Sequence, residues 1–302
     1  MRGRFLRGAL ALALAGSAAV VAPAAAQDYP NRPVRVIVPW VPGGGADIMT
    51  RIVTAKLAES LGQQFVVENR AGATGTMGTD MVAKSAPDGY TLLLTGDQSV
   101  TSNVFLYKLP YDAERDLVPT SLVANLSYIF AVHPGVAARS TLDFIALAKA
   151  KPDTLTYGSS GNGSPQHLAA AQFALMAGIR LTHIPYKGGG PATIGLLAGE
   201  ISSIFGGMSN LIPHAKSNKI RALAVSGAKR LAALPDVPTV AESGVPGYEF
   251  TGWLGMFVPK NTPRAVVDRL QGETARIVQS PDVKQLLNNG GTEPVGNTPE
   301  QF

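Results

Sequence analysis

The chain has 302 residues, including 33 glycines and 22 prolines, and it contains no cysteine. Disulfides, thiolate chemistry and a lipid attached to an N-terminal cysteine are therefore excluded. Its 26 Lys and Arg side chains outnumber its 21 Asp and Glu side chains, but they form no basic run, so we expect no nucleic-acid partner.

Residues 1–26 have the pattern of a secretory signal peptide. Arg2, Arg4 and Arg7 precede an apolar stretch, and "APAAAQ" then supplies an Ala-x-Ala cleavage site. We expect cleavage after Ala26 and release into the periplasm. A permanent membrane anchor is not expected, because glycine and serine interrupt the apolar stretch and charged sequence follows it.

Strand-like and helix-like segments alternate along the rest of the chain. The first half gives strand 34–39, helix 46–62, strand 64–69, helix 76–85 and strand 90–95. After Pro134 follow helix 142–150, strand 155–160, helix 167–177, strand 180–186, helix 191–198, and strands 201–205 and 220–227; strand 253–259 and helix 264–279 come last. This alternation predicts parallel sheets covered by helices, with ligands at the carboxyl ends of the strands.

We predict an α/β protein of two lobes with a ligand cleft between them. Residues 27–124 and 254–302 would form the first lobe, and residues 125–253 the second. The final residues resemble the start of a helix, with Thr298 as N-cap and Pro299 in the first position. Because the chain stops one turn later, we interpret the C terminus as truncated.

Three consecutive glycines occur twice, each time between a strand and a helix. "IVPWVPGGGA" and "HIPYKGGGPA" share a strand, a proline, an aromatic residue and a glycine run, although chance similarity would also explain so short a pattern. Glycines at a helix N terminus expose backbone N–H groups that bind anions, which points to Gly44 and Gly45. Trp40 and Tyr186 would line the cleft or plug the interface. Asp47 would favour the helix dipole or meet a ligand.

Two further loops of small polar residues follow strands. "SSGNGS" brings Asn162 and Ser164 to the start of a helix, and "LTGDQS" brings Ser99 to the end of a first-lobe strand. Asn162 and Ser164 could donate to a carboxylate, or they could form the turn and cap the helix; the two roles are compatible.

Nucleotide binding and catalysis have less support from the residues. Ile48 replaces the third glycine of a G-x-G-x-x-G motif, and a P-loop sequence is absent. The four histidines lack metal-ligand spacing, and "GSSGN" departs from the G-x-S-x-G elbow of hydrolases. Ser164 and His167 are close enough on one turn to touch, but a capping serine beside a surface histidine is the commoner arrangement. We therefore predict no catalytic residue, no metal site and no cofactor.

These motifs together resemble the Bug family, the periplasmic receptors of tripartite tricarboxylate transporters. The resemblance covers essentially the whole chain after the signal peptide. It rests on ordered stretches that include "YPNRPVRVIVPWVPGGGAD", "VVENRAGATGTMG", "APDGYTLLL", "YGSSGNGSPQHLA", "LTHIPYKGGGPA" and "RALAVSGAKRLAALPDVPTVAESGVPGYE".

The resemblance implies a two-lobed periplasmic binding protein of type II that closes on a small carboxylate. It also implies a monomer that delivers this ligand to the membrane components of a tripartite transporter. Carried over by position, the family's ligand contacts fall on Trp40, Gly44, Gly45, Asp47, Thr76, Ser99, Asn162, Ser164 and Tyr186.

One departure from the family pattern concerns the wall of the cleft. Family members commonly carry an acidic residue after "LAGE" and its strand, whereas this chain has Gly206 and Gly207. We expect a roomier pocket beside Gly206 and a preference for carboxylates without an amino group. Two alternatives stay open: an exported α/β enzyme acting on a nucleotide or a carboxylate, and a ligand sensor for a signalling partner.

Overall fold

The computed structural model describes residues 29–289 and 291–302, so the predicted signal peptide lies outside the described residues. The strands are β1 (Val34–Val38), β2 (Phe65–Asn69), β3 (Thr91–Gly96), β4 (Leu117–Leu126), β5 (Tyr128–Val132), β6 (Thr156–Ser159), β7 (Thr182–Pro185), β8 (Ser203–Gly207), β9 (Arg221–Val225), β10 (Gly252–Pro259) and β11 (Thr292–Pro294). The helices are α1 (Gly45–Leu61), α2 (Thr76–Ala83), α3 (Asn103–Leu106), α4 (Ala113–Asp116), α5 (Thr141–Ala150), α6 (Pro165–Ala177), α7 (Gly189–Ala198), α8 (Met208–Lys216), α9 (Arg264–Val278) and α10 (Pro281–Asn289).

The strands form two separate sheets. Sheet A has six strands in the order β11-β4-β10-β3-β1-β2, and sheet B has five in the order β7-β6-β8-β5-β9. Strands β2, β1 and β3 run parallel, as do β7, β6 and β8. The predicted parallel pairing holds for these strands, whereas β10 is antiparallel to both β3 and β4, and β5 is antiparallel to both β8 and β9.

The chain changes sheet where one residue joins two strands. Only Ser127 separates β4 in sheet A from β5 in sheet B, and the chain returns to sheet A between β9 and β10. Ser226 links the start of β5 to the segment that precedes β10. Its hydroxyl accepts from the Tyr128 N–H at 2.8 Å and donates to the Phe250 carbonyl at 2.7 Å. Because Ser226 is fully buried, losing its hydroxyl would leave backbone groups without partners at the crossing.

Each sheet has its own apolar core. The β-branched strand β1 lies inside sheet A and is buried at four of its five positions. In sheet B, Phe130 stacks on Phe205 with ring centroids 4.8 Å apart and meets Phe144 edge-on at 5.1 Å. Helix α1 ends at Gly62, whose φ of 68° is a left-handed conformation that glycine adopts without steric cost.

The C-terminal residues form one turn, and no helix is assigned there within the described residues. The Phe302 N–H donates to the Thr298 carbonyl at 3.1 Å, and the Phe302 ring lies 5.2 Å from Trp253 and 5.1 Å from Phe257. Across residues 29–289 and 291–302, no helix has the length and apolar character needed to cross a bilayer.

Candidate functional site

The first glycine run forms the loop between β1 and α1. Gly43 has φ +80°, a conformation that L side chains rarely adopt. Gly44 is the N-cap of α1, with φ −74° and ψ 164°. Within the described chain no side chain caps this helix, so its first backbone N–H groups are available to an anion.

Asp47 holds this loop from inside the protein. It is only 3% exposed, and its carboxylate accepts from the Gly43 N–H at 2.9 Å, Arg51 Nε at 3.1 Å and Asn69 Nδ2 at 2.9 Å. Burial raises the pKa of this carboxyl, but the hydrogen bonds from these three donors outweigh burial and lower it overall. Of the two roles considered for Asp47, the geometry favours the structural one.

Trp40, Thr76 and Ser99 come together at the start of α2. Gly75, which precedes Thr76, has φ +90°, and a Cβ built on it would lie 3.2 Å from both Ser99 Cβ and the Trp40 ring. The Ser99 hydroxyl is fully buried and lies 2.8 Å from Thr95 Oγ1. The glycine therefore lets the Trp40 ring close over this helix terminus.

The loop 159–164 connects β6 of sheet B to α6. Ser164 caps α6, because its hydroxyl accepts from the His167 N–H at 3.3 Å, and Asn162 has an exposed side chain. Gly161 and Gly163 have φ +129° and +73°. Ser164 thus has the capping role that was weighed for it, while Asn162 can reach solvent or a ligand.

The neighbours of Tyr186 and Gly206 in the structure are not evident from the sequence pattern. The Tyr186 hydroxyl donates to Glu200 Oε2 at 3.1 Å, and its ring packs against Gly195 of α7. A Cβ on Gly206 would lie 2.4 Å from Leu211 Cδ1. The expected gap beside Gly206 is therefore filled by Leu211, and this expectation is corrected: the open position is Gly207, where no described atom lies within 4 Å of a built Cβ.

The two sheets face each other across this set of loops. A Cβ on Gly45 would lie 3.7 Å from the hydroxyl of Ser209, in the first turn of α8. Nearby, the Ser102 hydroxyl donates to the Gly163 carbonyl at 3.3 Å, and Leu106 packs against Gly163. Like α1, α8 begins without a capping side chain from the described chain. Two helix N termini without a capping side chain, one beside each sheet, thus lie next to each other.

Known proteins are similar to this chain in sequence and in architecture. The TctC family model, "Tripartite tricarboxylate transporter family receptor", matches residues 49–302. The chain belongs to this family. BugT of Bordetella pertussis is 37% identical, over 94% of this chain and 88% of BugT. An R. palustris protein solved with adipate is 34% identical with a TM-score of 0.86, covering 91% of this chain and 92% of that one. MatC from Rhodopseudomonas palustris, with bound malate, is 30% identical with a TM-score of 0.79, covering 88% and 91%.

The predicted family and the predicted two-sheet α/β fold are confirmed by these matches. In this tricarboxylate transporter receptor, sequence reasoning missed Ser209 and Asn69. The signal for Ser209 was present, because "FGGMSN" is another strand–glycine–helix junction. Asn69 ends β2, and its side chain donates both to Asp47 and to the Trp40 carbonyl at 3.0 Å. Among the residues that the structure covers, no three His, Cys, Asp or Glu side chains are grouped to hold a metal.

Asp97 is a further residue of the receptor that sequence reasoning passed over. It follows β3 directly, two residues before Ser99. Burial raises the pKa of its carboxyl to about 6, although backbone N–H groups of Asp97 and Gln98 act in the opposite direction. Its negative charge also contributes to the raised pKa of Tyr128, after burial. A partly buried carboxyl thus lies near the crossing between the sheets.

Replacing Asp97 by asparagine should stabilise the receptor at pH 7.5 and leave its stability nearly unchanged at pH 4. The folded-state pKa of about 6 exceeds the ordinary 3.8, so between these values the folded protein binds more protons than the unfolded chain. Wild-type stability therefore falls as pH rises from 4 to 6, by about 2 kcal/mol. Urea unfolding of both proteins at the two pH values measures this difference.

Asp116→Asn is the control for that experiment. The Arg115 side chain lowers the pKa of Asp116 to about 2, so removing its charge should not stabilise the protein at pH 7.5. Equal stability of Asp97→Asn and wild type at pH 7.5 would show that the Asp97 carboxylate is well solvated.

Proposed function

We propose that this receptor binds a small dicarboxylate in the gap between sheet A and sheet B. The observation that carries the proposal is the convergence of the α1 and α8 N termini at Gly45 and Ser209. Two solved relatives hold adipate and malate, and both ligands carry two carboxylates. A family of transporter receptors is consistent with binding and delivery of such a ligand, without catalysis.

Backbone groups would recognise the ligand more than charged side chains. A helix N terminus carries partial positive charge and N–H donors without a partner, and both favour a carboxylate. Gly44 and Gly45 allow the carboxylate close to the backbone on one side, and Gly207 and Ser209 do so on the other. Asn162 and the Trp40 ring would complete the site by donating a hydrogen bond and excluding water.

The sheets would act as two lobes that close on the ligand, with residues 27–124 and 254–302 in one and 125–253 in the other. Cleavage after Ala26 would release a monomer into the periplasm. There the closed form would hand its ligand to the membrane components of a tripartite transporter. The sheet changes at Ser127 and between β9 and β10 support this division of the chain.

A thermal-shift screen of residues 27–302 tests the ligand class, with isothermal titration to measure affinities. The panel includes adipate, succinate, malate, aspartate, monocarboxylates, citrate and nucleotides. A ligand present at a hundred times its Kd should add about 2.7 kcal/mol of stability, a shift of a few degrees. Selective stabilisation by dicarboxylates supports the proposal, with malate expected to bind more tightly than its amino analogue aspartate. Stabilisation by nucleotides alone would favour the enzyme alternative.

Replacing Gly44 by valine should weaken dicarboxylate binding at least a hundredfold while the fold stays intact. A Cβ at Gly44 has its nearest contact at 3.6 Å, with the Val41 carbonyl, and the Gly44 φ of −74° suits any residue. The branched side chain would instead occupy the space in front of the α1 N terminus. Titration measures the affinity, and thermal unfolding measures the fold.

Gly272→Val is the matched control, because no described atom lies within 4 Å of a Cβ built at Gly272, in α9. It should bind as the wild type does. Unchanged affinity in Gly44→Val would remove the α1 loop from the site.

A further inference from the structure

Two histidines stack beneath the second-lobe loop 159–164. The His167 ring, from α6, lies 4.2 Å from the His183 ring, from β7, with 20° between the planes. Tyr157 of β6 lies 4.8 Å from the His183 ring and 6.2 Å from the His167 ring. Three aromatic rings from three elements thus form one cluster against the loop.

Both imidazoles hydrogen-bond to this loop. His167 Nδ1 accepts from the Gly163 N–H at 3.1 Å. His183 Nε2 lies 2.7 Å from the Ser159 hydroxyl, which itself accepts from the Gly161 N–H at 3.1 Å. The two glycines of the loop have left-handed or extended backbones with positive φ, and each is thus held directly or indirectly by one histidine.

This arrangement requires His167 to be neutral. A nitrogen accepts the Gly163 N–H only while it carries no proton, so Nδ1 is bare and the ring proton sits on Nε2. Protonation at Nδ1 would set two N–H groups against each other and release the glycine.

The surroundings of the pair also favour the neutral form. Burial lowers the pKa of both imidazoles, and His167 lowers that of His183 further, to about 4. The rings are faced by the Tyr157 phenol from β6 and the Ser159 hydroxyl. From sheet A, Leu106 and Ser102 contact the loop above them. Among the described residues no carboxylate pairs with either imidazole, so nothing there stabilises an imidazolium.

We propose that His167 and His183 are positioning residues: as neutral hydrogen-bond partners, they fix the loop 159–164 in the shape that meets the ligand carboxylate. Only the contact between the loop and a ligand carboxylate rests on the proposed function, since the hydrogen bonds that fix Gly161 and Gly163 are independent of any ligand. It also assigns the two histidines a role other than direct contact with the anion. A histidine that bound the carboxylate directly would do so best as a cation, whereas His167 holds Gly163 only while its Nδ1 carries no proton.

Conservative and disruptive variants separate this role from simple packing. Asparagine places its Oδ1 near the position of His Nδ1, and glutamine places its terminal group near His Nε2, and neither titrates. His167→Asn and His183→Gln therefore keep the hydrogen-bonding atom, while His167→Leu and His183→Leu keep apolar bulk and remove it. At pH 7.5 we expect the leucine variants to bind malate or adipate about tenfold more weakly than wild type. The conservative variants should stay within about threefold of wild type.

The ligand-free protein supplies the second measurement. In ¹⁵N NMR spectra at pH 6, His167 should show a bare Nδ1 and a protonated Nε2. The Gly163 amide should exchange with solvent much faster in His167→Leu than in wild type or His167→Asn. A His167 ring that titrates near its ordinary pKa, or equal Gly163 exchange in all three proteins, would overturn the proposal, and so would leucine variants with wild-type affinity. If no carboxylate binds the wild type, the proposed function fails, while the ring and amide spectra still decide whether the histidines hold the loop.

Discussion

Asp47→Ala should lower the free energy of unfolding by about 2 kcal/mol, because three donors lose the buried carboxylate that accepts from them. Gly43 N–H, Arg51 Nε and Asn69 Nδ2 all lose a partner at once. Dicarboxylate affinity should fall at least tenfold as well, since the Gly43 N–H bond fixes the loop that precedes the α1 N terminus. Urea unfolding and titration calorimetry measure the two effects separately.

The matched control is Asp268→Ala, which removes another aspartate paired four residues away with an arginine. Asp268 and Arg264 are both more than half exposed, so their pair is worth about 1 kcal/mol or less. Asp47→Asn should fall between the two variants, because its amide oxygen still accepts one of the three donors. A loss of less than 1 kcal/mol in Asp47→Ala would show that the loop keeps its shape without the carboxylate.

Gly206→Asp should unfold the receptor, whereas Gly207→Asp should be tolerated. A Cβ at Gly206 would lie 2.4 Å from Leu211 Cδ1 and 2.8 Å from Leu211 Cγ, inside the core of sheet B. An unpaired buried carboxylate adds to that overlap, so we expect a loss of about 4 kcal/mol or more. Gly207 has open space and the φ of −61° and ψ of 142° of a helix N-cap, where aspartate is a favourable residue.

The same pair of variants tests how the site discriminates between ligands. An aspartate at Gly207 would bring negative charge to the α8 N terminus, which faces Gly45. The ratio of aspartate affinity to malate affinity should therefore rise in Gly207→Asp, because an ammonium group gains a partner while a carboxylate is repelled. An unchanged ratio, measured by calorimetry, would place Gly207 outside the ligand's reach.

Local patterns predicted most of the secondary structure, and long-range pairing accounts for what they missed. Strands β1 to β3 and β6 to β9 were predicted because each is a short apolar or β-branched run bounded by turn residues. Strands β4 and β5 abut at Ser127 and belong to different sheets. No turn signal separates them, so the pattern does not reveal two strands there. The antiparallel direction of β10 depends on partners far away in the chain.

The residues of the candidate site also fall into two groups: those that the local sequence reveals and those that only the tertiary structure brings together. Glycine runs at Gly44 and Gly45 are visible as local sequence, and they lie at a helix N terminus as predicted. Ser209 becomes relevant only because the two sheets meet, and Asn69 only because β2 ends beside the α1 loop. The direction of a side chain is equally a tertiary property. Tyr186 follows its strand as expected, but its hydroxyl donates to Glu200, close to the end of α7.

The placement of β10 between β3 and β4 imposes an order on folding. Its two neighbours lie far before β10 (Gly252–Pro259) in the chain, and until β10 pairs with them each presents an unpaired edge. Sheet B is complete once β9 has been synthesised, so its half of the molecule can form first. Sheet A must wait for a strand that closes a very long loop, which is slow for entropic reasons. During that interval the exposed edges of β3 and β4 are the part of the folding chain most open to aggregation and to chaperone binding.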